Sequence, residues 1–253
     1  MSEKFVPPIT SREVFLNAWR SPGMSVKKFW SYKEFPPQEI REETYKEWSL
    51  LTEKGYDFCY FSEYPGYLEH RELPPCFWYK GDISLFKEGP MVGIVGSRHI
   101  PESLLPRVRE HCHNLIKSLE GEVITSGLAL GCDTLAHSMQ PRSVAFLPCS
   151  IDKVYPWSNR DLKREIEEKG LCISPWSPFL KDVVNRVRLF ERTNFLIECC
   201  KVIYVLHANE RSGTEYTIRK ALQSGRKVIL FTYGTEEHPL ELKYPKLEIK
   251  QVE

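Results

Sequence analysis

A loop of small residues, followed by an acid and a histidine, is the first place in this 253-residue sequence where chemistry could occur. Residues 124–137 read ITSGLALGCDTLAH: two β-forming residues, a loop with two glycines, and then Asp133 and His137. A spacing of four places the last two side chains on one face of a helix. Three interpretations fit: a strand–loop–helix that binds a phosphate, a catalytic Asp/His pair, or a tight turn in a core.

The elements around this loop follow one pattern from Met91 onward, in which short apolar segments alternate with amphipathic ones. The apolar segments are continuous, so both faces of each strand are buried. This predicts an α/β fold with a doubly wound, mainly parallel sheet. Six strands are predicted, at 91–95, 122–126, 143–148, 171–174, 201–207 and 227–231. Five helices are predicted between them, at 103–119, 132–139, 159–169, 192–200 and 213–224.

The remaining segments are predicted to be peripheral to a main domain at 55–235. Residues 1–54 carry helical patches interrupted by proline and are expected to form a small helical N-terminal region. A short aromatic strand is expected at 56–61, followed by a Pro-rich loop with little regular structure. Residues 236–253 are expected to be a polar C-terminal tail.

Composition excludes several classes of protein. With 42% hydrophobic and 27% charged residues, the chain is typical of a globular protein. No apolar run approaches the roughly 20 residues of a membrane span, and the N-terminus has no apolar signal-peptide core. The expectation is a soluble, cytoplasmic protein. The net charge of +1 means that any nucleic-acid site must be a local basic patch.

The eight cysteines form no C-x-x-C pair. Buried, reduced thiols are therefore predicted rather than a disulfide framework. The HCH sequence at 111–113 is not predicted to bind metal, because Cys112 belongs to the apolar stripe of its helix. Neither a metal nor a cofactor is expected.

In a doubly wound sheet, ligands bind beyond the carboxyl ends of the strands. Small and basic residues follow four of the predicted strands, where backbone N–H groups and helix N-termini can attract an anion. Their convergence predicts one anion-binding mouth. The chain has neither a G-x-G-x-x-G nor a G-x-x-x-x-G-K-[ST] motif, which disfavours NAD binding and ATP hydrolysis. The four segments are 96–98, 126–131, 149–153 and 210–214.

Five segments resemble, in order and spacing, the motifs of the DNA-processing protein A family, also called DprA or Smf. The lead-in at 55–82 and the whole of residues 50–232 fit the same resemblance. It implies an extended Rossmann-like fold that binds and protects single-stranded DNA, forms a homodimer and loads the RecA recombinase in DNA uptake, transformation or recombination, without being an enzyme. The motifs are VGIVGSR (92–98), ITSGLALGCDTLAH (124–137), IDKVYP (151–156), FERTNFLIE (190–198) and RSGTEYTIRKALQSGRKVILF (211–231).

The chain also departs from the family pattern. Ser150 stands where the family has glycine before Asp-x-x-Tyr-Pro, and Ser-Glu-x-Pro is reduced to residues 174–176. Residues 192–197 read RTNFLI rather than Arg-Asn-Arg-Ile-Ile-Ala, and the Pro-Gly after the last strand is absent. We therefore expect a divergent member that lacks a C-terminal winged-helix domain.

Arg98 is predicted to contact phosphate, because it directly follows a buried strand and its guanidinium fork suits that anion. Asp133 and His137 are expected to support the loop: Asp133 by accepting N–H groups at the start of its own helix, and His137 by packing or by bonding Asp133. Trp157 is predicted to stack on a base, and Tyr155 to pack in the core. The candidate nucleic-acid-binding residues are Gly96, Ser97, Arg98, Ser126, Gly127, Ala129, Gly131, Lys153, Trp157, Arg192, Asn194, Ser212, Gly213 and Thr214.

Other features leave alternatives open. A basic stretch holds Lys181, Arg186, Arg188 and Arg192, and could equally be a solvated face. A Rossmann-like nucleotide sensor or a nucleotide phosphoribohydrolase is the rival function, although Glu215 directly follows Thr214 instead of lying three residues later as in those hydrolases. The candidate residues for a dimer interface are Leu189, Phe190 and Ile197.

Overall fold

The structure is a computed structural model that describes residues 49–60, 73–74, 76–176, 178, 183–234 and 238–252. The predicted N-terminal helical region lies outside these residues up to position 48. Its last part is helical at 49–53.

A sheet of nine strands runs through the described part of the chain. Its spatial order is β1-β2-β6-β5-β4-β3-β7-β8-β9. The β1–β2 and β2–β6 pairs are antiparallel, and all other neighbours are parallel. The strands are β1 (Asp57–Tyr60), β2 (Cys76–Gly81), β3 (Met91–Val95), β4 (Ile124–Ser126), β5 (Val144–Phe146), β6 (Leu171–Ser174), β7 (Cys200–Val205), β8 (Lys227–Thr232) and β9 (Glu248–Gln251).

Helices cover both faces of this sheet. Helices α2, α3 and α4 bury their apolar side chains on one face, and α5 and α6 bury theirs on the other. All five residues of β3 are buried, as its continuous apolar sequence predicts. After the helical segment 49–53, the α-helices of the described residues are α1 (Ser84–Lys87), α2 (Leu105–Ser118), α3 (Cys132–Met139), α4 (Arg160–Lys169), α5 (Arg186–Glu198), α6 (Gly213–Gln223) and α7 (Pro239–Lys243).

The predicted α/β fold with a mainly parallel, doubly wound sheet is confirmed, including all six predicted strands and the aromatic strand at 57–60. Two predictions were wrong. The segment expected to be an irregular loop contains β2, which pairs on both sides. The expected polar tail forms α7 and β9, because Leu240 and Leu247 are buried and β9 pairs with β8.

The cysteine prediction is confirmed: all eight thiols are free and seven are buried, with Cys199 half-buried. Cys112 is fully buried in the stripe that α2 turns toward the sheet. Within the described ranges no helix combines the length and the apolar character needed to cross a membrane, and no cluster of three metal-ligating side chains occurs.

Candidate nucleic-acid interface

The order in which the chain adds strands to the sheet reverses between β3 and β7. From β3 the chain adds β4, β5 and β6 on one side, and it then returns to place β7, β8 and β9 on the other. Beyond the carboxyl ends of two such strands a crevice opens, and open α/β sheets bind their ligands there. The structure has a cleft of about 830 Å³ at this position, bounded by the segments that follow β3 and β7 and by one side of α5.

Arginines dominate the charged residues of this cleft, which we call the arginine cleft. Its two acidic side chains, Asp133 and Glu215, are both bonded to basic groups of the protein. The side chain of Arg98 is exposed and, within the described part of the chain, has no hydrogen bond or ion pair. An anion therefore meets a surplus of positive charge at this mouth. The arginines that line the cleft are Arg98, Arg186, Arg192, Arg211 and Arg219.

Asp133 occupies the N–H groups that the sequence assigned to a phosphate. Its Oδ2 accepts hydrogen bonds from the N–H of Gly127 at 3.1 Å and from that of Ala129 at 3.3 Å. Asp133 thus bonds the loop that precedes its helix, not the start of the helix itself as predicted. Ser126 is also fully buried. The 126–131 loop is accordingly organised around an internal carboxylate, and its predicted role as a phosphate cradle is corrected for these two amides.

Arg192 is a buried residue and not the free surface cation that a DNA contact would suggest. Its Nη1 lies 3.9 Å from Asp133 Oδ2, and both side chains are less than a tenth exposed. Burial lowers the pKa of Arg192, an effect that Asp133 opposes. Burial likewise raises the pKa of Asp133, and Arg192 and the two loop amides oppose that effect. The pair fixes a guanidinium beneath the arginine cleft, where it lies beside Arg98.

Close approach explains two of the glycines. Gly131 has φ +74°, and a β-carbon there would lie 2.3 Å from the carbonyl oxygen of Ser97. A β-carbon at Gly96 would lie 2.6 Å from Cys132 Sγ. Glycine at both positions lets the end of β3 touch the start of α3, where the Cys132 N–H donates to the Ser97 carbonyl.

His137 is packed in the core, which is one of its two predicted roles, but its hydrogen bond goes to Ser143 and not to Asp133. Its Nδ1 lies 2.7 Å from the hydroxyl of Ser143, just before β5, and the ring is fully buried. It therefore anchors α3 to the next strand and not to Asp133. Asn159 braces the loop instead, because its Nδ2 donates to the Leu128 carbonyl at 2.9 Å and to the hydroxyl of Thr134 at 2.9 Å.

The N-terminus of α6 faces the arginine cleft, as the sequence predicted. Ser212 caps the helix: its hydroxyl accepts from the N–H of Glu215 and donates to the Asn209 carbonyl. Gly213 is exposed with open space around it. Glu215 is buried, and its two carboxylate oxygens are held by the Arg211 N–H and by groups from α7 and the residue after it.

Two aromatic rings lie between arginines along the cleft wall. Phe190 of α5 and Tyr216 of α6 stack with centroids 4.1 Å apart. Arg186 lies over Phe190 at 5.2 Å and Arg219 over Tyr216 at 5.4 Å. Asn194, predicted to bind DNA directly, accepts the hydroxyl of Tyr216 at 2.9 Å and so orients that ring.

Three other predicted residues lie elsewhere. Lys153 is exposed and pairs with Asp152 at 3.2 Å. Trp157 is 68% exposed, with Arg160 over its ring, and it does not line the arginine cleft. Tyr155, expected in the core, is instead 39% exposed. It borders a small niche of about 50 Å³ next to Arg98 and Arg192, which we call the Tyr155 niche.

The predicted basic stretch does not form one patch. Lys181 lies outside the described residues, Arg186 lines the cleft, and Arg192 is buried. Arg188 lies over the Trp176 ring at 5.2 Å. Of the candidate interface residues, Ile197 belongs to the core.

The sequence placed Arg211 within the predicted anion segment 210–214 without naming it as a contact, and it did not indicate Arg219 or the Phe190–Tyr216 pair. Helical spacing could have found Arg219, since it follows the cap Ser212 by seven residues and so lies on the same face. Helix α5 begins at Arg186, six residues earlier than predicted. That correction places Arg186 and Phe190 four apart on one face.

These features define a class: Rossmann-like α/β proteins with an arginine-lined crevice at the topological switch point of the sheet. The chain belongs to the DNA recombination-mediator protein A family, whose model matches residues 58–241.

Known proteins show how far the similarity extends. The chain is 32% identical to the DNA processing protein DprA of Streptococcus pneumoniae over 162 residues, which is 62% of this chain and 55% of that protein. It is 34% identical to the protein Smf of Escherichia coli over 169 residues, 65% of this chain and 44% of that protein. The matches thus span about half the length of these relatives.

Two solved structures share the fold. The X-ray structure of S. pneumoniae DprA has a TM-score of 0.67 at 22% identity, covering 90% of this chain and 83% of that one. The DNA processing protein A of Helicobacter pylori, whose structure was described for its single-stranded DNA binding mode, has a TM-score of 0.61 at 24% identity, covering 70% of this chain and 82% of that one.

Proposed function

We propose that this protein binds single-stranded DNA in the arginine cleft. The observation that carries the proposal is the charge of the cleft: besides Arg192, whose charge Asp133 balances, four arginines line it, and its other acid, Glu215, is paired with Lys243. A DNA phosphate is the anion that such a surface attracts, and part of the binding free energy then comes from counterion release. Family membership and the binding mode described for the H. pylori relative support the same ligand.

The form of the cleft favours an unpaired strand. Its volume of about 830 Å³ is that of a pocket for a few nucleotides. The half-buried rings of Phe190 and Tyr216 lie among the arginines, and the π-faces of bases are free to stack only when the strand is single. We therefore propose that phosphates follow the arginines and that bases approach the aromatic wall.

Binding, and not hydrolysis, is the proposed task. A phosphoribohydrolase would need a free carboxylate in the cleft, and Glu215 has both oxygens engaged by Arg211, Lys243 and Tyr244. Incubation with nucleoside monophosphates, followed by chromatography for the free base, tests this part of the proposal. Release of a base by the wild type but not by a Glu215→Gln variant would establish the enzyme instead.

Delivery of bound DNA to the RecA recombinase, homodimerisation, and a role in transformation or recombination are further proposals that rest on family resemblance. Sedimentation of the purified chain tests dimer formation. Co-sedimentation of RecA with the chain and an oligothymidine tests the delivery step, and absence of a ternary species would contradict it.

The decisive experiment is a fluorescence-anisotropy titration of a labelled oligothymidine over a salt series. We expect micromolar or tighter affinity at low salt and a steep linear fall of log K with log salt. Arg98→Ala should weaken binding and reduce the slope by about 0.7, the value for one phosphate contact on a single strand. Arg109→Ala removes another exposed arginine, on α2 and outside the cleft, and is the matched control. A flat wild-type titration, or equal losses in the two variants, would contradict the proposal.

A further inference from the structure

Glu215 is an acidic residue in the cleft that we propose binds the phosphates of DNA. The structure shows which groups neutralise its carboxylate. Its Oε1 accepts hydrogen bonds from Lys243 Nζ and from the Tyr244 hydroxyl, the latter at 2.9 Å. Its Oε2 accepts the N–H of Arg211. The carboxylate is buried, whereas half of the Lys243 side chain is exposed.

The partners Lys243 and Tyr244 belong to a segment far along the chain, which is fixed against both ends of the loop between β7 and α6. Helix α7 begins after His238, whose Nδ1 accepts the N–H of Leu240 and whose Nε2 lies 3.2 Å from the Ala208 carbonyl. Leu240 is fully buried in the core. The segment thus contacts the loop after β7 at Ala208 and the first turn of α6 at Glu215.

Without these contacts Glu215 would oppose DNA binding. A carboxylate beside the N-terminus of α6 is favourable for the helix, but it repels a phosphate that approaches the same N–H groups and arginines. The hydrogen bond from Lys243 is the main reason why the pKa of Glu215 lies below its usual value. Glu215 therefore stays ionised, and its charge must be balanced from within the protein.

The hydrogen bonds of Glu215 also stabilise residues 209–214, which form one rim of the arginine cleft. Arg211 has a left-handed backbone, with φ +52°, a conformation that residues other than glycine adopt at a cost. The bond from its N–H to Glu215 stabilises this conformation at the point where the Arg211 side chain meets the cleft.

We infer that Lys243, assisted by Tyr244, is a positioning residue for DNA binding: it neutralises Glu215 and holds the 209–214 rim so that the cleft presents its arginines to phosphate. Lys243 acts through Glu215 and not by touching DNA. The inference rests on the proposed function, since it concerns affinity for the same ligand.

A double-mutant cycle separates this role from direct contact. Lys243→Met should weaken oligothymidine binding by at least about fivefold, within the range of coupling found for residues in one network. Glu215→Gln should bind more tightly than wild type, because the cleft loses a negative charge. In the Glu215→Gln background, Lys243→Met should cost less than about twofold. Lys246→Met is the control, because it removes another exposed lysine three residues away.

Each outcome has a distinct meaning. Equal losses from Lys243→Met in both backgrounds would show that Lys243 contacts DNA, and no loss in either would show that Glu215 needs no neutralisation; both overturn the inference. If the wild-type protein itself does not bind oligothymidine, the proposed function is overturned instead. Lys243→Arg keeps the charge and should keep wild-type affinity. Every variant should unfold cooperatively with a midpoint above the assay temperature, which excludes a general loss of structure.

Discussion

The guanidinium of Arg192 packs directly against Gly127 and occupies the space of a side chain there, because a β-carbon at position 127 would lie 1.1 Å from Nη1. The same guanidinium pairs with Asp133, whose carboxylate holds the N–H of Gly127. Loop, acid and arginine therefore form one buried unit beneath the arginine cleft. The absence of a side chain at position 127 is what allows it to close.

Substitution of Gly127 by alanine tests this unit. The methyl group must displace Arg192 from Asp133, and breaking a buried pair costs about 3–5 kcal/mol. We expect the free energy of unfolding, measured by urea titration, to fall by about that amount, together with oligothymidine affinity. Gly234→Ala, which has open space around the added carbon, is the control and should change neither. A Gly127→Ala variant within about 1 kcal/mol of wild type would show that the pair is not held in this way.

The elements that form this unit were predictable, but their internal bonding was not. Continuous apolar runs such as Met91–Val95 identify buried parallel strands, and the rule that ligands lie beyond strand ends then places the cleft. The same glycine-containing loop, however, fits either a bound phosphate or an internal carboxylate. Only the fold shows that Asp133 turns back onto Gly127 and Ala129.

The sequence did not predict strands β2 and β9, and the reason is related. β2 carries Trp78 and Phe77 fully buried, but it follows a Pro-Pro pair and ends in Lys80-Gly81, a composition typical of a loop. β9 is an edge strand whose residues are all half-buried or exposed, so its sequence shows no apolar run. Pairing with a neighbouring strand stabilises both, and local sequence does not record that neighbour.

The burial of His137 predicts a loss of stability in acid. Burial lowers the pKa of this histidine to about 3, whereas in an unfolded chain it is about 6.5. Below pH 6.5 the unfolded state binds a proton that the native state does not, so the free energy of unfolding falls as pH falls, by up to about 1.4 kcal/mol per pH unit. Burial also lowers the pKa values of His111 and His207, which adds loss of the same sign.

Urea titrations at pH 7 and pH 5 measure this dependence. His137→Asn keeps a polar atom for Ser143 and removes the titrating ring. We expect lower stability than wild type at pH 7 but a smaller difference between the two pH values. His113→Asn changes an exposed histidine of α2 and should leave the difference unaltered. An unchanged difference in His137→Asn would exclude this histidine as a source of acid sensitivity.

The last prediction concerns a second stacking surface for a base besides the Phe190–Tyr216 wall, for which the structure favours Tyr155 over the Trp157 that the sequence suggests. Tyr155 borders its niche beside Arg98 and Arg192, whereas Trp157 lies outside both the niche and the arginine cleft, with Arg160 over its ring. Stacking of one base is worth about 1–3 kcal/mol by alanine substitution. We expect Tyr155→Ala to weaken oligothymidine binding by that amount and Tyr155→Phe, which keeps the ring, to bind like wild type. Trp157→Ala should change affinity by less than about twofold. Loss of binding in Trp157→Ala with Tyr155→Ala unaffected would assign the base to the tryptophan and extend the DNA path beyond the cleft.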